Sequence, residues 1–320
     1  MNTVDLKQIA YFVQIADLGS FTRAASVLCI AQPALSRQVR RLEVELRQPL
    51  FDRNGRGVTL TPAGTRLLAH GRGILQQVER ARQDLEDQRG AASGLLSIGL
   101  PPSISRTLTA PLVDTFRARF PRATLSIVEG LSTYTLEWLA QGRIDCAVVY
   151  NAVPSAAVDL QPVLQEKLHL LSVHMADKGA PAARAPVARP LVGRPVTLAQ
   201  LAERDLVIPS RPHAIRMRVE TVLAEAGLKP RVALEIDSVP AMLDLVQRHA
   251  LHAVLSLNAL RGSAREADFS ARPIRTAPGQ FLATTLYIAT SAQRPRGPLL
   301  DQATAVLSAL LFEQLQGHGR

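Results

Sequence analysis

The segment 32–46 constrains this chain more than any other. Leu35, Val39, Leu42 and Leu46 recur at spacings of four, three and four, the repeat that stacks side chains on one face of an α-helix. Turning about 100° per residue puts Pro33, Arg37 and Arg40 opposite that stripe. Ser36 and Arg41 flank them, and Gln32 stands at the N-terminal end. Pro33 is tolerated there because first-turn N–H groups have no intrahelical acceptor. A helix with one leucine face must bury it, and this one then presents Gln, Ser and Arg outward. Two surroundings accept that face: solvent, which hydrates the arginines, or the major groove of DNA, where Arg pairs with guanine and Gln with adenine.

The neighbouring residues choose between them. Leu6, Ile9, Phe12, Val13 and Ala16 predict a helix over 5–18, ended by Gly19. Ser20 is placed to cap a second, short helix over 21–28, whose Ala24, Ala25 and Ser26 admit a close neighbour. After the helix at 32–46, residues 49–60 read as a β-hairpin with Asn54-Gly55 as its turn signal and Arg53 and Arg56 near the tip. Three helices and a basic hairpin make a winged helix-turn-helix, whose second helix of the pair enters the major groove while the wing lays arginine on phosphate or in the minor groove.

The run 19–64, with Ala24-Ala25, Gln32-Pro33-Ala34-Leu35-Ser36 and Leu50-Phe51-Asp52-Arg53 in that order, resembles the DNA-binding domain of LysR-type transcriptional regulators. The resemblance implies that Gln32, Pro33, Ser36 and Arg37 contact the groove and that Arg56 is the wing contact. Arg40 lies on the same helix face. Arg53 either touches phosphate or braces the wing.

Thr61-Pro62 starts a further helix running to about residue 89, with Leu67, Gly71, Ile74, Val78, Ala81 and Leu85 alternating spacings of four and three. Such a seam wants a second copy of itself, or else the domain that follows. Members of the resembled family pair through this helix and usually assemble into tetramers. Ala91-Ala92-Ser93-Gly94 then reads as a flexible hinge.

From Leu95 the rhythm becomes strand–turn–helix. Strands are expected at 95–99, 125–129, 144–150, 168–174, 206–208, 232–236, 251–257 and 284–289. Helices are expected at 103–120, 133–141, 213–226, 239–248 and 298–315. The expected architecture is multi-domain: an all-α winged helix-turn-helix plus linker helix, then an α/β two-lobed effector domain resembling periplasmic binding proteins. Its divisions are 1–60, 61–90 and 91–320, with lobe I at about 95–163 and 270–320 and lobe II at about 164–269. Ser103, Ser132 or Thr133, Ser210 and Ser238 each sit where a strand hands over to a helix. Helix starts offer unpaired N–H groups and partial positive charge, and in open α/β sheets ligands lie beyond the strands' carboxyl ends. Each serine is equally explained as a simple cap. Together with His213 and Arg216 they predict a cleft for a small polar or anionic effector. Residues 98–103, 128–132 and 210–213 resemble the branch of nitrogen-assimilation control regulators, whose members need not depend on an inducer. Ala250 and His252 stand where the family commonly has glycine, and a side chain there is expected to narrow the cleft. The Ala-, Pro- and Arg-rich run 178–195 reads as a surface loop.

Charge supports this reading only weakly. The formal charge of +10 is spread along the chain: residues 1–90 carry 13 basic against 9 acidic side chains, and residues 91–320 carry 24 against 18. The pattern of the first sixty residues therefore carries the inference. No apolar run approaches membrane-span length, and the N-terminus lacks a secretory pattern, so a cytoplasmic protein without a membrane partner is expected. Cys29 and Cys146 are too far apart for metal-ligand spacing and read as packed, reduced thiols. Phosphate-loop, zinc-peptidase and nucleophile-elbow motifs are absent; His169/His174 and His249/His252 are poor metal pairs. No enzyme, metal or cofactor is expected. A transport-type solute receptor fits residues 95–320 but not the fused DNA-binding module. The expected partners are double-stranded promoter DNA, RNA polymerase and further copies of the chain, as a dimer or tetramer.

Overall fold

Asp5 begins the first helix, α1 (Leu6–Leu18), through a capping box: its carboxylate accepts from Lys7 N at 3.0 Å, and Gln8 Oε1 accepts from Asp5 N at 3.1 Å. Gly19 ends it at φ 61°, a turn in which a residue without Cβ meets no strain. Ser20 caps α2 (Phe21–Val27), accepting from Arg23 N at 3.3 Å. Helix α3 then spans Gln32–Leu46, the bounds its leucine spacing predicts. Leu35, Val39 and Leu42 are fully enclosed among Phe12, Ile15, Phe21 and Phe51. Each such side chain contributes about 1.5–3 kcal/mol by leaving water. The Phe51 ring lies 5.1 Å from Phe12 and 5.7 Å from Phe21, so the first wing strand is part of the core. Between α2 and α3, Cys29 adopts φ 53° and is exposed. The packed thiol expected there is corrected, because the position builds the turn and not the core.

This computed structural model describes residues 4–54, 57–87, 94–173, 191–260 and 266–316. The wing is β1 (Phe51–Asn54) against β2 (Gly57–Leu60), with Asn54 paired to Gly57, one residue beyond the Asn54-Gly55 turn signal. Helix α4 (Pro62–Asp87) follows. Its first half is not a free seam. Leu67 joins the helix-turn-helix core, and Gly71 is so close to α1 that a Cβ would meet Ile9 and Val13 at 3.1 and 3.2 Å. Asp17 and Arg72 pair beside that contact. The expected dimer seam therefore loses its first two positions to the chain's own domain. Ile74 stays 40% exposed and Ala81 is open to solvent; the side chain of Leu85 lies outside the described residues, as do Ala91, Ala92 and Ser93 of the expected hinge.

The chain divides into two units, Met1–Leu95 with Ala140–Arg143 and Leu96–Leu139 with Ile144–Arg320. The second contains β3 (Gly94–Leu100), α5 (Pro102–Arg119), β4 (Ala123–Glu129), α6 (Ser132–Ala140), β5 (Cys146–Tyr150) and β6 (Val158–Val173). Then come β7 (Leu191–Val192), β8 (Val196–Thr197), α7 (Leu198–Ala202), β9 (Asp205–Ile208), α8 (Ala214–Glu225), β10 (Arg231–Glu235), α9 (Val239–His249) and β11 (His252–Ser256). The chain closes with β12 (Phe269–Ala277), β13 (Gln280–Phe281), β14 (Ala283–Ser291) and α10 (Pro298–Gln316). Most of the run 178–195 lies outside the described residues. The strand path is β10-β9-β11-β6-β14-β5-β3-β4, so β6 belongs to both lobes. Its first half pairs with β14, its second with β11 and β12. Only the second half is legible as a strand in sequence. Pro162 enters the first half where the pairing with β14 slips between Leu286 and Tyr287, a bulge that tolerates a residue lacking its N–H. Leu206, Val207, Ile208, Val219, Met242 and Val254 form the buried centre of lobe II. Helices α5, α6, α8 and α9 all begin at the carboxyl ends of strands, which is where α/β sheets place their ligands.

Candidate nucleic-acid interface and ligand cleft

Burying the α3 stripe leaves the opposite face outside. Gln32, Pro33, Arg37, Arg40 and Arg41 are exposed and Ser36 is half-buried. Arg37, Arg40 and Arg41 form no ion pair or hydrogen bond with any described residue, so three positive charges stand free on one helix. A carboxylate fixes this helix to the wing: Glu43 Oε1 accepts from Leu50 N at 2.9 Å and from Phe51 N at 3.4 Å. Thr61 fixes the wing to α4. Its hydroxyl donates to Pro49 O at 2.7 Å and accepts from Gly64 N at 3.0 Å, and its N–H donates to Leu50 O at 3.0 Å. The bond from Gly64 is the helix cap that Thr61-Pro62 predicts, whereas the ties to Leu50, Phe51 and Pro49 were not visible in the sequence, since they join residues across a turn. Arg56 lies outside the described residues, as does the side chain of Arg53.

In the second unit the structure brings the proposed effector residues together as two sets. In lobe I, Ser132 Oγ accepts from Tyr150 N at 2.9 Å, and Ser103 Oγ lies 3.4 Å from the Tyr150 hydroxyl. Thr133 is exposed. In lobe II, Asp237 Oδ1 accepts from Ser210 N at 2.8 Å, while Ser238 caps α9, accepting from Ala241 N at 3.5 Å. His213 caps α8 with Nδ1, which accepts from Ile215 N at 3.2 Å. Burial holds its pKa below the ordinary value, with Asp237 opposing.

Arg216 does not fit the role expected of it. It is 4% exposed, with Nε 2.5 Å from Glu220, one terminal nitrogen 3.1 Å from Glu235 and the other donating to Pro209 O at 3.2 Å. Its charge is committed to bracing the turn before α8. Burial alone would raise the Glu220 carboxyl, but bonds from Arg211 and Arg216 outweigh it and hold it below the ordinary range. Ala250 also departs from expectation. It ends α9 at φ 53°, the opposite end from Ser238, and so cannot narrow a cleft at the helix start. His252 likewise begins β11, whose carboxyl end is Ser256.

Three residues that sequence reasoning missed complete this region. Glu166, on the shared strand β6, accepts from the Tyr150 hydroxyl at 3.2 Å and from Asn258 Nδ2. Tyr150 ends β5 in lobe I, and Asn258 follows β11 in lobe II. All three are buried. Burial pushes the Tyr150 hydroxyl well above its ordinary pKa, and the charge on Glu166 adds to the shift. Arg106 of α5 adds a second tie between lobes, donating to Ala259 O at 3.3 Å. Tyr150 was findable as the last residue of an expected strand; Glu166 lay in the half of β6 not read as one.

A winged helix-turn-helix with a free cationic face, joined to a two-lobed α/β unit, defines a DNA-binding regulator with an effector-binding domain. Residues 6–65 match the bacterial regulatory helix-turn-helix protein model of the lysR family, and residues 89–311 match the LysR substrate binding domain. The chain belongs to the LysR family of transcriptional regulators, which are not enzymes. It is 34% identical over 309 residues to the nitrogen assimilation regulatory protein nac of Klebsiella aerogenes, covering 96% of this chain and 94% of that one. Its identity to the Escherichia coli K12 protein of the same name is 36% over 259 residues, 81% of this chain and 80% of that one. These are regulators of the branch that residues 98–103, 128–132 and 210–213 resemble. Its fold is like that of full-length CbnR complexed with its target DNA, with TM-score 0.67, 22% identity and coverage of 96% and 99%.

Proposed function

We propose that this chain is a cytoplasmic regulator that reads a dyad-symmetric promoter site through Gln32, Pro33, Ser36, Arg37 and Arg40. Arg53 and Arg56 of the wing meet the DNA backbone or minor groove. It works with RNA polymerase, as a dimer through the part of α4 beyond Gly71 and, by assembly of dimers, a tetramer. One observation carries this reading: the face of α3 opposite Leu35, Val39 and Leu42 is exposed and its arginines have no partner among the described residues. CbnR is solved with its target DNA, which supports the same use of the fold here. The groove sorts sequence by bidentate pairing and the backbone adds salt-dependent affinity.

The second unit senses a small polar effector at Ser103, Ser132, Thr133, Ser210, His213 and Ser238, with Arg216 as a brace. The Tyr150 hydroxyl and the buried carboxylate of Glu166 add polar groups beside Ser103. The effector read here is small and polar or anionic.

Fluorescence anisotropy tests the DNA reading, using duplex from upstream of the chain's own gene against random duplex over a range of salt. Tighter binding to the upstream duplex, falling steeply with salt, is expected. Arg37→Ala should erode that preference by about 1–3 kcal/mol. Equal affinity for both duplexes in the parent chain overturns the reading.

A further inference from the structure

We propose a second ligand site in the α/β unit, for a small oxyanion, on the face of the crossover strands turned away from Tyr150 and Glu166. The register of β6 and β14 separates the two faces. Glu166 pairs with Thr284 and Gln165 with Thr285, and successive residues of a strand point to opposite sides. Glu166 therefore faces Tyr150 and Asn258, while Gln165 and Thr285 face the other way.

On that other face lies a cavity of about 450 Å³, walled by Asn151, Gln165, Arg218, Gln280, Phe281 and Thr285. The volume is within the range of small-molecule pockets. No carboxylate lines it. Arg218, exposed on α8, forms no ion pair or hydrogen bond with a described residue, so its planar fork of donors is available for bidentate capture of an oxyanion. Lys167 adds a second positive charge, its Nζ 4.9 Å from the centre of the Phe281 ring.

One donor of the lining residues also goes unmet. Asn151 takes φ 49° and is locked to Thr285 twice: its N–H donates to Thr285 O at 2.9 Å, and its Oδ1 accepts from Thr285 N at 3.0 Å. That second bond fixes the amide's orientation and leaves Nδ2 buried with no partner among the described residues. What the wall lacks is negative charge, which a carboxylate or phosphate group supplies. This site does not depend on the effector cleft reading.

Calorimetric titration of the full chain with inorganic phosphate and with succinate, at matched ionic strength, tests the site. Saturable 1:1 binding of at least one probe is expected, and which one binds assigns the head group. Arg218→Ala, at an exposed position with no hydrogen bond or ion pair to a described residue to lose, should weaken it about tenfold or more, with Arg218→Lys recovering part. Ser103→Ala should leave it unchanged, and promoter affinity should be untouched by Arg218→Ala. The proposal is overturned if neither probe saturates, if Arg218→Ala binds as the parent does, or if Ser103→Ala abolishes binding equally.

Discussion

The Tyr150 hydroxyl, from lobe I, donates to Glu166 at 3.2 Å, and the same carboxylate accepts from Asn258 of lobe II. One buried charge thus answers to both lobes. Burying a carboxylate is tolerable only when donors replace water, and these two neighbours are among those that hold Glu166 in place.

Tyr150→Phe keeps the ring and removes one of those donors. The variant should unfold about 1–3 kcal/mol more easily, measured as a lower urea midpoint with unchanged slope. A midpoint equal to the parent's would mean that Glu166 does not need this bond.

Glu43 is the corresponding linchpin of the DNA-binding unit. Glu43→Ala leaves the N–H groups of Leu50 and Phe51 without their carboxylate acceptor. Promoter affinity should fall several-fold although Glu43 lies outside the exposed arginine face, and stability should drop by about 1–2 kcal/mol. Parallel anisotropy and thermal melts check this; affinity retained at full strength refutes the role.

Ala250 carries a side chain at φ 53°, where L residues other than glycine are strained. Ala250→Gly should raise stability by about 0.5–1 kcal/mol, read as a higher urea midpoint. A lower midpoint would show that the methyl group's packing outweighs the strain.

His169 gives the fold a dependence on pH. Burial drives its pKa down to about 4, the Lys167 carbonyl opposing and the Lys167 charge reinforcing. In the unfolded chain the ring titrates near 6.5, so between those values the unfolded state holds a proton that the folded state lacks. Stability from this group is complete above about pH 6.5 and is lost toward pH 4, by roughly 2–3 kcal/mol. His213 and His252, also depressed by burial, act in the same direction. Urea midpoints at pH 7 and pH 4.5 for the parent and His169→Gln isolate the effect; identical losses in both would assign the acid sensitivity elsewhere.

What the sequence disclosed follows from the range over which its signals act. The α3 bounds were legible because Leu35, Val39 and Leu42 all face one core, and periodicity records that directly. The turn serines were legible as caps because Ser20 and Ser238 bond within three residues of themselves. The roles of Arg216 and Glu166 were not legible. Glu220, one turn along α8 from Arg216, was within reach of sequence reasoning, but Glu235, Pro209 and the partners of Glu166 lie on other elements, and only with them is the arginine seen to be held. The seam of α4 misled for a related reason: the spacing that suits a second copy suits α1 equally, and Gly71 permits the closer neighbour. Strand β12 and the first half of β6 escaped notice because polar outward residues dilute their alternation.

Strand β6 has a consequence for how such a protein diversifies. Because its sixteen residues are stitched into both sheets, no cut in the polypeptide releases one lobe with all its edges satisfied. Recombination that swapped a single lobe between relatives would have to splice inside this strand, at the point where its partners change from β14 to β11 and β12.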